Sequence, residues 1–242
     1  MSVLLVAGLD SSAGAGLARD LAVLADHGLS ARVAATAVTA QDASGACRVH
    51  PVPAAMVAAQ IRAAGPLRAV KLGMLANAAI VAAVADALAD VSADAPVILD
   101  PVLATSAGVP LLDTAGRAAL ITRLLPRAAL LTPNLLEAAL LTGLHPGAAP
   151  DRLAAAFFAM GARAVLLKGG HAEGPEAVDW LLRPGAAPLA FRAPRHPGTR
   201  RGTGCTLASA IAAELARGHD LPAACAAARR YVAQWFATPP AG

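Results

Sequence analysis

Six short apolar runs alternate with longer helical patterns along this chain, and each run leads into Gly, Gln, Asp, Lys or a Thr-Pro step. The runs cover residues 3–7, 31–40, 69–72, 96–99, 128–131 and 164–167 and read as strands. Helices are expected at 16–27, from Pro53 onward, at 77–90 capped by Asn77, at 114–125, from Asn134 to 141, and at 151–160, 203–217 and 221–236. Residues 178–182 and 189–193 read as a late antiparallel hairpin around Pro184-Gly185. Unbroken apolar strands interleaved with helices predict an α/β fold with a mostly parallel sheet covered on both faces. Such sheets bind ligands beyond the carboxyl ends of their strands. That directs attention to 8–16, Gln41, 71–74, 100–106, 132–137, 168–171 and 202–205. Residues 41–52 read as a polar loop, and the Pro/Gly-rich stretch 185–204 as a mobile loop over a site. No repeat or linker divides the chain, so 1–242 is expected to be a single domain.

Composition narrows the function. Apolar residues make up 57% of the chain, which excludes disorder, yet Arg, Asp, Pro or Gly interrupt every stretch before it could span a bilayer. The start has no charged leader or cleavage site, so no signal peptide is expected. Three widely spaced cysteines match no disulfide framework and no zinc motif, and a cytoplasmic location is expected. Net charge is +4, but the arginines are scattered and only seven aromatics are present. Neither a nucleic-acid partner nor a membrane is expected; the mild positive balance suits an anionic small-molecule substrate. Only two lysines occur, Lys71 and Lys168, both inside glycine-containing strand ends.

The strand ends carry the chemistry. Gly202-Thr203-Gly204-Cys205-Thr206 precedes an apolar helix, so its amides and the helix dipole can form an anion hole; an ordinary loop with Thr203 as cap is the plainer alternative. The turn from Gly8 to Gly16 is no Walker loop, because no Gly-Lys-Ser/Thr follows. It is either a tight strand-to-helix turn or a backbone seat for a small substrate, with Asp10 accepting from a hydroxyl. Asn134 and Glu137 share a face at a helix start: oxygen ligands for Mg²⁺ through water, or a capping box. Lys168 can neutralise phosphate. Lys71 reads equally as a salt-bridged residue, and His171 reads as structural. Met74 offers a soft apolar surface to a flat ring. The carboxamide of Gln41 can meet a ring nitrogen beside an exocyclic amine, or simply face solvent.

Taken in order, these motifs resemble the hydroxymethylpyrimidine and phosphomethylpyrimidine kinases of the ribokinase-like superfamily. The resemblance rests on Ala7-Gly8-x-Asp10 with Gly14-Ala15-Gly16, Thr39-Ala40-Gln41, Lys71-x-Gly73-Met74-Leu75, Leu99-Asp100-Pro101-Val102, Thr132-Pro133-Asn134-x-x-Glu137-Ala138, Lys168-Gly169-Gly170-His171, Asp179-Trp180-Leu181 and Gly202-Thr203-Gly204-Cys205-Thr206. It implies a ribokinase-like three-layer α/β/α fold and an ATP-dependent kinase with Mg²⁺. Such an enzyme phosphorylates 4-amino-5-hydroxymethyl-2-methylpyrimidine and then its monophosphate, in thiamine biosynthesis, as a homodimer. Gln41 would bind the aminopyrimidine, with Gly8, Asp10, Met74 and Val102 around it. Asn134, Lys168, Thr203 and Gly204 would bind ATP, Asp100 and Glu137 the metal, and Cys205 would take the hydroxyl proton beside the Gly202, Thr203 and Gly204 amides. Its place at a helix N-terminus beside cations should favour the thiolate. The chain departs from the family at Arg200-Arg201, where Thr-His is usual, and around Ala104-Thr105-Ser106-Ala107-Gly108. The two arginines read either as a paired-hydrogen-bond grip on phosphate or as solvated loop residues. Pyridoxal or pyridoxine kinase activity is the near alternative, and a catalytically weak pyrimidine-binding sensor is the alternative of another class.

Overall fold

The computed structural model describes residues 2–41, 47–91, 94–105, 107–169, 176–194 and 200–238. In chain order these form β1 (Ser2–Asp10), α1 (Gly16–Asp26), β2 (Ser30–Gln41), β3 (Cys47–Pro51), α2 (Ala54–Arg62), β4 (Ala69–Leu72), α3 (Ala78–Val91) and β5 (Val97–Leu99). There follow α4 (Thr114–Ala119), β6 (Leu130–Leu131), α5 (Leu135–Thr142), α6 (Pro150–Ala159), β7 (Val165–Leu167), β8 (Glu176–Leu182), β9 (Leu189–Pro194), α7 (Thr203–Ala216) and α8 (Leu221–Ala237).

All nine strands join one sheet in the order β3-β2-β1-β4-β5-β6-β7-β8-β9. From β2 to β7 the pairs are parallel, while β3, β8 and β9 extend the edges in antiparallel fashion. The central strands carry apolar side chains to both faces. Leu4 and Val6 of β1 join Val57, Ile61, Val81, Val84 and Phe157 of α2, α3 and α6 on one side. Val3 and Leu5 join Leu17, Leu24, Ile211 and Ala228 of α1, α7 and α8 on the other. Each such side chain contributes roughly 1.5–3 kcal/mol on leaving water. This is the expected three-layer arrangement, and the expected hairpin is β8–β9.

Two expectations are corrected. The stretch 41–52 is not wholly loop: Cys47–Pro51 pairs with β2, with Val38 opposite His50 and Thr39 opposite Val49. Its Arg48 and His50 are exposed while Val49 packs inward, the habit of an edge strand with one buried face. The expected helix 114–125 remains α-helical only to Ala119, then widens into a π-helical stretch, Leu120–Leu124, and tightens at Leu125–Arg127. Pro126 cannot supply a helical N–H, and the change in winding lets Leu120, Leu124 and Leu125 all face the core.

Strand order reverses between β1 and β4, so their carboxyl ends open a crevice. The β1–β2 register shifts between Ala7 and Leu9, which splays the chain at Gly8 on the rim of that crevice.

Candidate active site

Gly8 lies against Met74: a Cβ there would stand 2.8 Å from Sδ. Met74 packs with Ala37 and Leu111, and Val102 and Val49 border the same small cluster. Gly8, Met74 and Val102, expected to line one pocket, are therefore together. The following turn is tight. Gly16 has φ +59°, and a Cβ on it would lie 2.2 Å from the Gly8 carbonyl oxygen. Ala13 also takes a positive φ, 57°, a conformation that costs an alanine on the order of 1 kcal/mol.

Asp10 is buried at the end of β1. Its Oδ1 accepts from the Ser12 N–H and hydroxyl, both at 3.0 Å, and its Oδ2 accepts from Arg201 Nη2 at 2.9 Å. The same Nη2 donates to Gln41 Oε1, and Gln41 Nε2 donates to Thr39 Oγ1 at 3.1 Å. Asp10 and Gln41 thus face one space, occupied here by the Arg201 guanidinium. Arg200 turns away. Its guanidinium stacks 3.8 Å from the Trp235 ring and donates to the carbonyls of Trp235 and Thr238. The reading in which both arginines grip phosphate is thereby corrected for Arg200, whose donors face the end of α8.

Further along the sheet edge, Lys168 after β7 and Asp100 after β5 pair at 2.9 Å. Asp100 Oδ1 also accepts from the Thr132 hydroxyl at 3.2 Å, and Glu137 Oε2 lies 3.8 Å from Lys168 Nζ. Burial alone would lower the lysine's pKa, but the two carboxylates outweigh it and hold the ammonium charged. Burial raises Glu137 to about 7, with Lys168 opposing. Asn134 and Glu137 form a reciprocal capping box, each side chain accepting at 2.8 Å from the other's backbone N–H. The cap therefore uses Asn134 Oδ1 and not its amide nitrogen. Among the described residues no three His, Cys, Asp or Glu form a metal cluster. Asp100 and Glu137 fit Mg²⁺ only as two carboxylates completed by phosphate oxygens and water, the usual manner of this ion.

Gly202 caps α7 in the left-handed conformation, φ 78°, and supplies no side-chain acceptor to the first turn. A Cβ on Gly202 would lie 2.2 Å from the Gly14 carbonyl oxygen, which brings the loop before α7 against the turn after β1. Thr203 is the first helical residue, not the cap; its hydroxyl donates to the Arg200 carbonyl at 2.6 Å. Gly204 sits over the ion pair, where a Cβ would come within 3.2 Å of Lys168 Nζ and 3.6 Å of Asp100 Oδ2. The uncapped amides, Lys168 and the carboxylates so converge on one concavity suited to phosphate and a divalent cation.

Cys205 follows in this turn, but the expected shift of its thiol toward the thiolate is corrected. Burial pushes its thiol up to about 11, helped by the charges of Asp20 and Asp100, while Lys71 and the Gly16 amide pull the other way. A desolvated sulfur loses more by ionising than the helix terminus returns.

The salt-bridged reading of Lys71 holds, but its partner Asp20 and the role of Asp179 were not foreseen. Lys71 is fully buried and pairs with fully buried Asp20 at 2.7 Å; Ser209 donates to the other Asp20 oxygen at 2.8 Å. Asp20 stands on the apolar stripe of α1 with Leu17, Val23 and Leu24, and a charge on such a stripe was the readable signal. Asp179, quoted above for resemblance alone, accepts from the Gly169 N–H at 2.9 Å and pairs with Arg229 at 3.1 Å, fixing the chain just after Lys168. Gly170, His171, Ser106 and residues 195–199 lie outside the described residues. Two cavities of about 340 and 430 Å³ lie at the opposite ends of the strands, around Arg68, and contain none of these groups.

The model of the family described as phosphomethylpyrimidine kinase matches residues 10–241. A Streptomyces coelicolor protein named hydroxymethylpyrimidine/phosphomethylpyrimidine kinase is 44% identical over 236 residues, 95% of this chain and 86% of the relative. A Clostridium difficile phosphomethylpyrimidine kinase structure, 31% identical, superposes with a TM-score of 0.83 over 98% of this chain and 99% of that one. A Staphylococcus aureus pyridoxal kinase bound to AMP-PCP and pyridoxal, 30% identical, gives 0.86 over 96% of this chain and 86% of that one. With the sheet order and the strand-end groups described above, these likenesses show that the chain belongs to the phosphomethylpyrimidine kinase family and has its ribokinase-like fold.

Proposed function

We propose that this chain transfers the γ-phosphoryl group of ATP to the hydroxymethyl oxygen of 4-amino-5-hydroxymethyl-2-methylpyrimidine, and then phosphorylates the monophosphate. The observation that carries this reading is the adjacency of two half-sites. Gly8 lies against Met74, and Asp10 and Gln41 share the Arg201 guanidinium, an arrangement that suits a flat polar ring. The α7 amides, Lys168 and Asp100 form a cationic cradle beside it. Phosphoryl transfer asks for positioning and charge neutralisation above all.

In this reading Gln41 fixes the ring edge, and Asp10 accepts from the hydroxymethyl O–H until that hydrogen turns to Cys205 for the transfer. Lys168 and the amides of Thr203, Gly204 and Cys205 hold the transferring phosphoryl, and Asn134 meets ATP through its amide nitrogen. Asp100 and Glu137 would hold Mg²⁺, which supplies charge neutralisation between the phosphates. Cys205 takes the alcohol proton in its ionised form, a minor fraction at neutral pH given its raised pKa. The single domain, the cytoplasmic setting and a homodimer belong to the same proposal. Among the described residues no helix is long and apolar enough to cross a membrane.

A second reading, pyridoxal kinase, is favoured by the closeness of this fold to the pyridoxal-bound S. aureus enzyme. Measuring ADP release with the pyrimidine, its monophosphate and pyridoxal separates the two. The expected result is turnover of both pyrimidines at a kcat/KM well above that for pyridoxal. Preference for pyridoxal would overturn the first reading, and pyrimidine binding without ADP release would mark a sensor.

A further inference from the structure

Arg201 occupies the place a ligand should take. Its Nη2 is an –NH₂ group with both hydrogens engaged, one toward Asp10 Oδ2 at 2.9 Å and the other toward Gln41 Oε1. Its Nη1 reaches Ser12 Oγ at 3.3 Å. Asp10 has its remaining oxygen filled by Ser12, and one of the two Gln41 amide hydrogens goes to Thr39. Neither acceptor is open to a ring until the guanidinium gives way. The guanidinium itself is flat, and its N–C–NH₂ edge has the outline of an aminopyrimidine edge. The arginine is also free to leave: it is 39% exposed, while the Asp10 carboxylate it covers is 3% exposed.

We infer that Arg201 is a specificity-determining residue that holds the position of the substrate's exocyclic amino group, and that an aminopyrimidine binds by displacing it. The inference rests on the pyrimidine reading given above. A ligand that ejects the arginine leaves two acceptors, one of them buried, and must bring its own donors to them. An amino group with two N–H bonds does so at the same place as Nη2, with a neighbouring hydroxymethyl O–H for Asp10. A ring without an exocyclic amine leaves an acceptor unpaired. Displacement also frees a guanidinium next to the α7 amides, one residue before Gly202, where phosphate is expected.

Calorimetric titration of the pyrimidine into wild type, Arg201→Ala and Arg201→Gln, without ATP, tests this. An occupant that must be expelled weakens apparent binding by the fraction of time it is in place. Arg201→Ala should therefore bind the pyrimidine about three- to tenfold more tightly, with Arg201→Gln in between. Low-millimolar guanidinium should compete with the pyrimidine in Arg201→Ala and have no such effect on wild type. Equal or weaker pyrimidine binding in Arg201→Ala overturns the inference, since it would make the arginine either a solvated side chain or a contact to the bound ring. Failure of wild type to bind the pyrimidine would instead remove the substrate reading. The guanidinium arm, followed by thermal shift of Arg201→Ala, then decides the Arg201 contact alone: stabilisation supports it and no shift overturns it.

Discussion

Lys168 donates to Asp100 across 2.9 Å at the floor of the proposed phosphate cradle, and Gly204 lies directly over the pair. The lysine comes from β7 and the aspartate from β5, with Thr132 after β6 bonded to the same carboxylate oxygen. Three neighbouring strand ends are thus tied together before any nucleotide arrives. The lysine is held charged by carboxylates that a metal ion can later take over.

Lys168→Met should lower kcat by about 10²-fold or more, the scale of a lost group that stabilises transition-state charge. It also strands two buried carboxylates, so the melting temperature should fall. Adding Asp100→Asn should restore much of the stability and none of the activity. Thermal melts alongside ADP-release kinetics distinguish the two effects; recovery of turnover in the double variant would remove Lys168 from the transfer step.

Gln41→Leu should raise the KM for the aminopyrimidine by roughly 1–3 kcal/mol of lost binding, because a polar ring edge is left unpaired. The KM for ATP should stay as it is, since Gln41 lies with Asp10 and Arg201 rather than with Lys168. Steady-state kinetics with each substrate varied in turn reads both constants. An unaltered pyrimidine KM would take Gln41 out of the site.

Gly202→Ala should impair both folding and turnover. Its φ of 78° suits glycine, and the added Cβ would strike the Gly14 carbonyl oxygen, a backbone atom that cannot swing aside. Denaturant unfolding should show a loss of at least about 1–3 kcal/mol. Full stability in this variant would show that the loop before α7 is not seated on the turn after β1.

The sheet and the grouping of the candidate residues were legible because most inner strands are short apolar runs followed at once by a candidate residue. Asp100 after 97–99 and Lys168 after 165–167 needed no tertiary information to be placed at one edge. What could not be read was pairing across long separations. Asp20 and Lys71 are 51 residues apart, and Arg201 and Gln41 are 160 apart. Nothing in local pattern told Arg200 from Arg201, because their divergence depends on where Trp235 of α8 comes to rest. The thiolate at Cys205 was misjudged for a related reason: a helix terminus is visible in sequence, but the degree of desolvation is not. β3 was hidden because an edge strand needs only one inward residue, here Val49.

Lys71→Met should destabilise the protein by about 3–5 kcal/mol, since it leaves the Asp20 carboxylate buried without its partner. The double variant Lys71→Met/Asp20→Leu should recover most of that loss, because a buried ion pair replaced by apolar groups is close to neutral. Urea denaturation of the four proteins in the cycle measures the coupling. Additive losses would show that the two side chains stabilise the fold independently.

In the proposed transfer Cys205 takes the proton, and the desolvation of its half-buried thiol sets the pH dependence. Its thiol is raised to about 11 by desolvation first, with Asp20 and Asp100 adding to the effect and Lys71 and the Gly16 amide opposing it. Below that value the thiol is the dominant form, and its ionised fraction grows about tenfold for each pH unit. If the thiolate accepts the alcohol proton, kcat should climb by roughly that factor per unit from about pH 7 to pH 9. Cys205→Ala should lower kcat by about 10²-fold and flatten the profile, the scale of a lost general base. The pyrimidine should still bind, because its proposed polar contacts are to Asp10 and Gln41. Cys205→Asp should keep part of the activity with the slope gone, since a carboxylate is already ionised in that range. Alkylation by iodoacetamide should follow the same rise at Cys205 and slow when pyrimidine is bound. Cys225 is 1% exposed within α8, with its thiol pushed up to about 12, and should stay unreactive. Wild-type turnover in Cys205→Ala, with a flat wild-type profile, would remove the thiolate from the reaction and leave the transfer to the α7 amides, Lys168 and the geometry of the cradle.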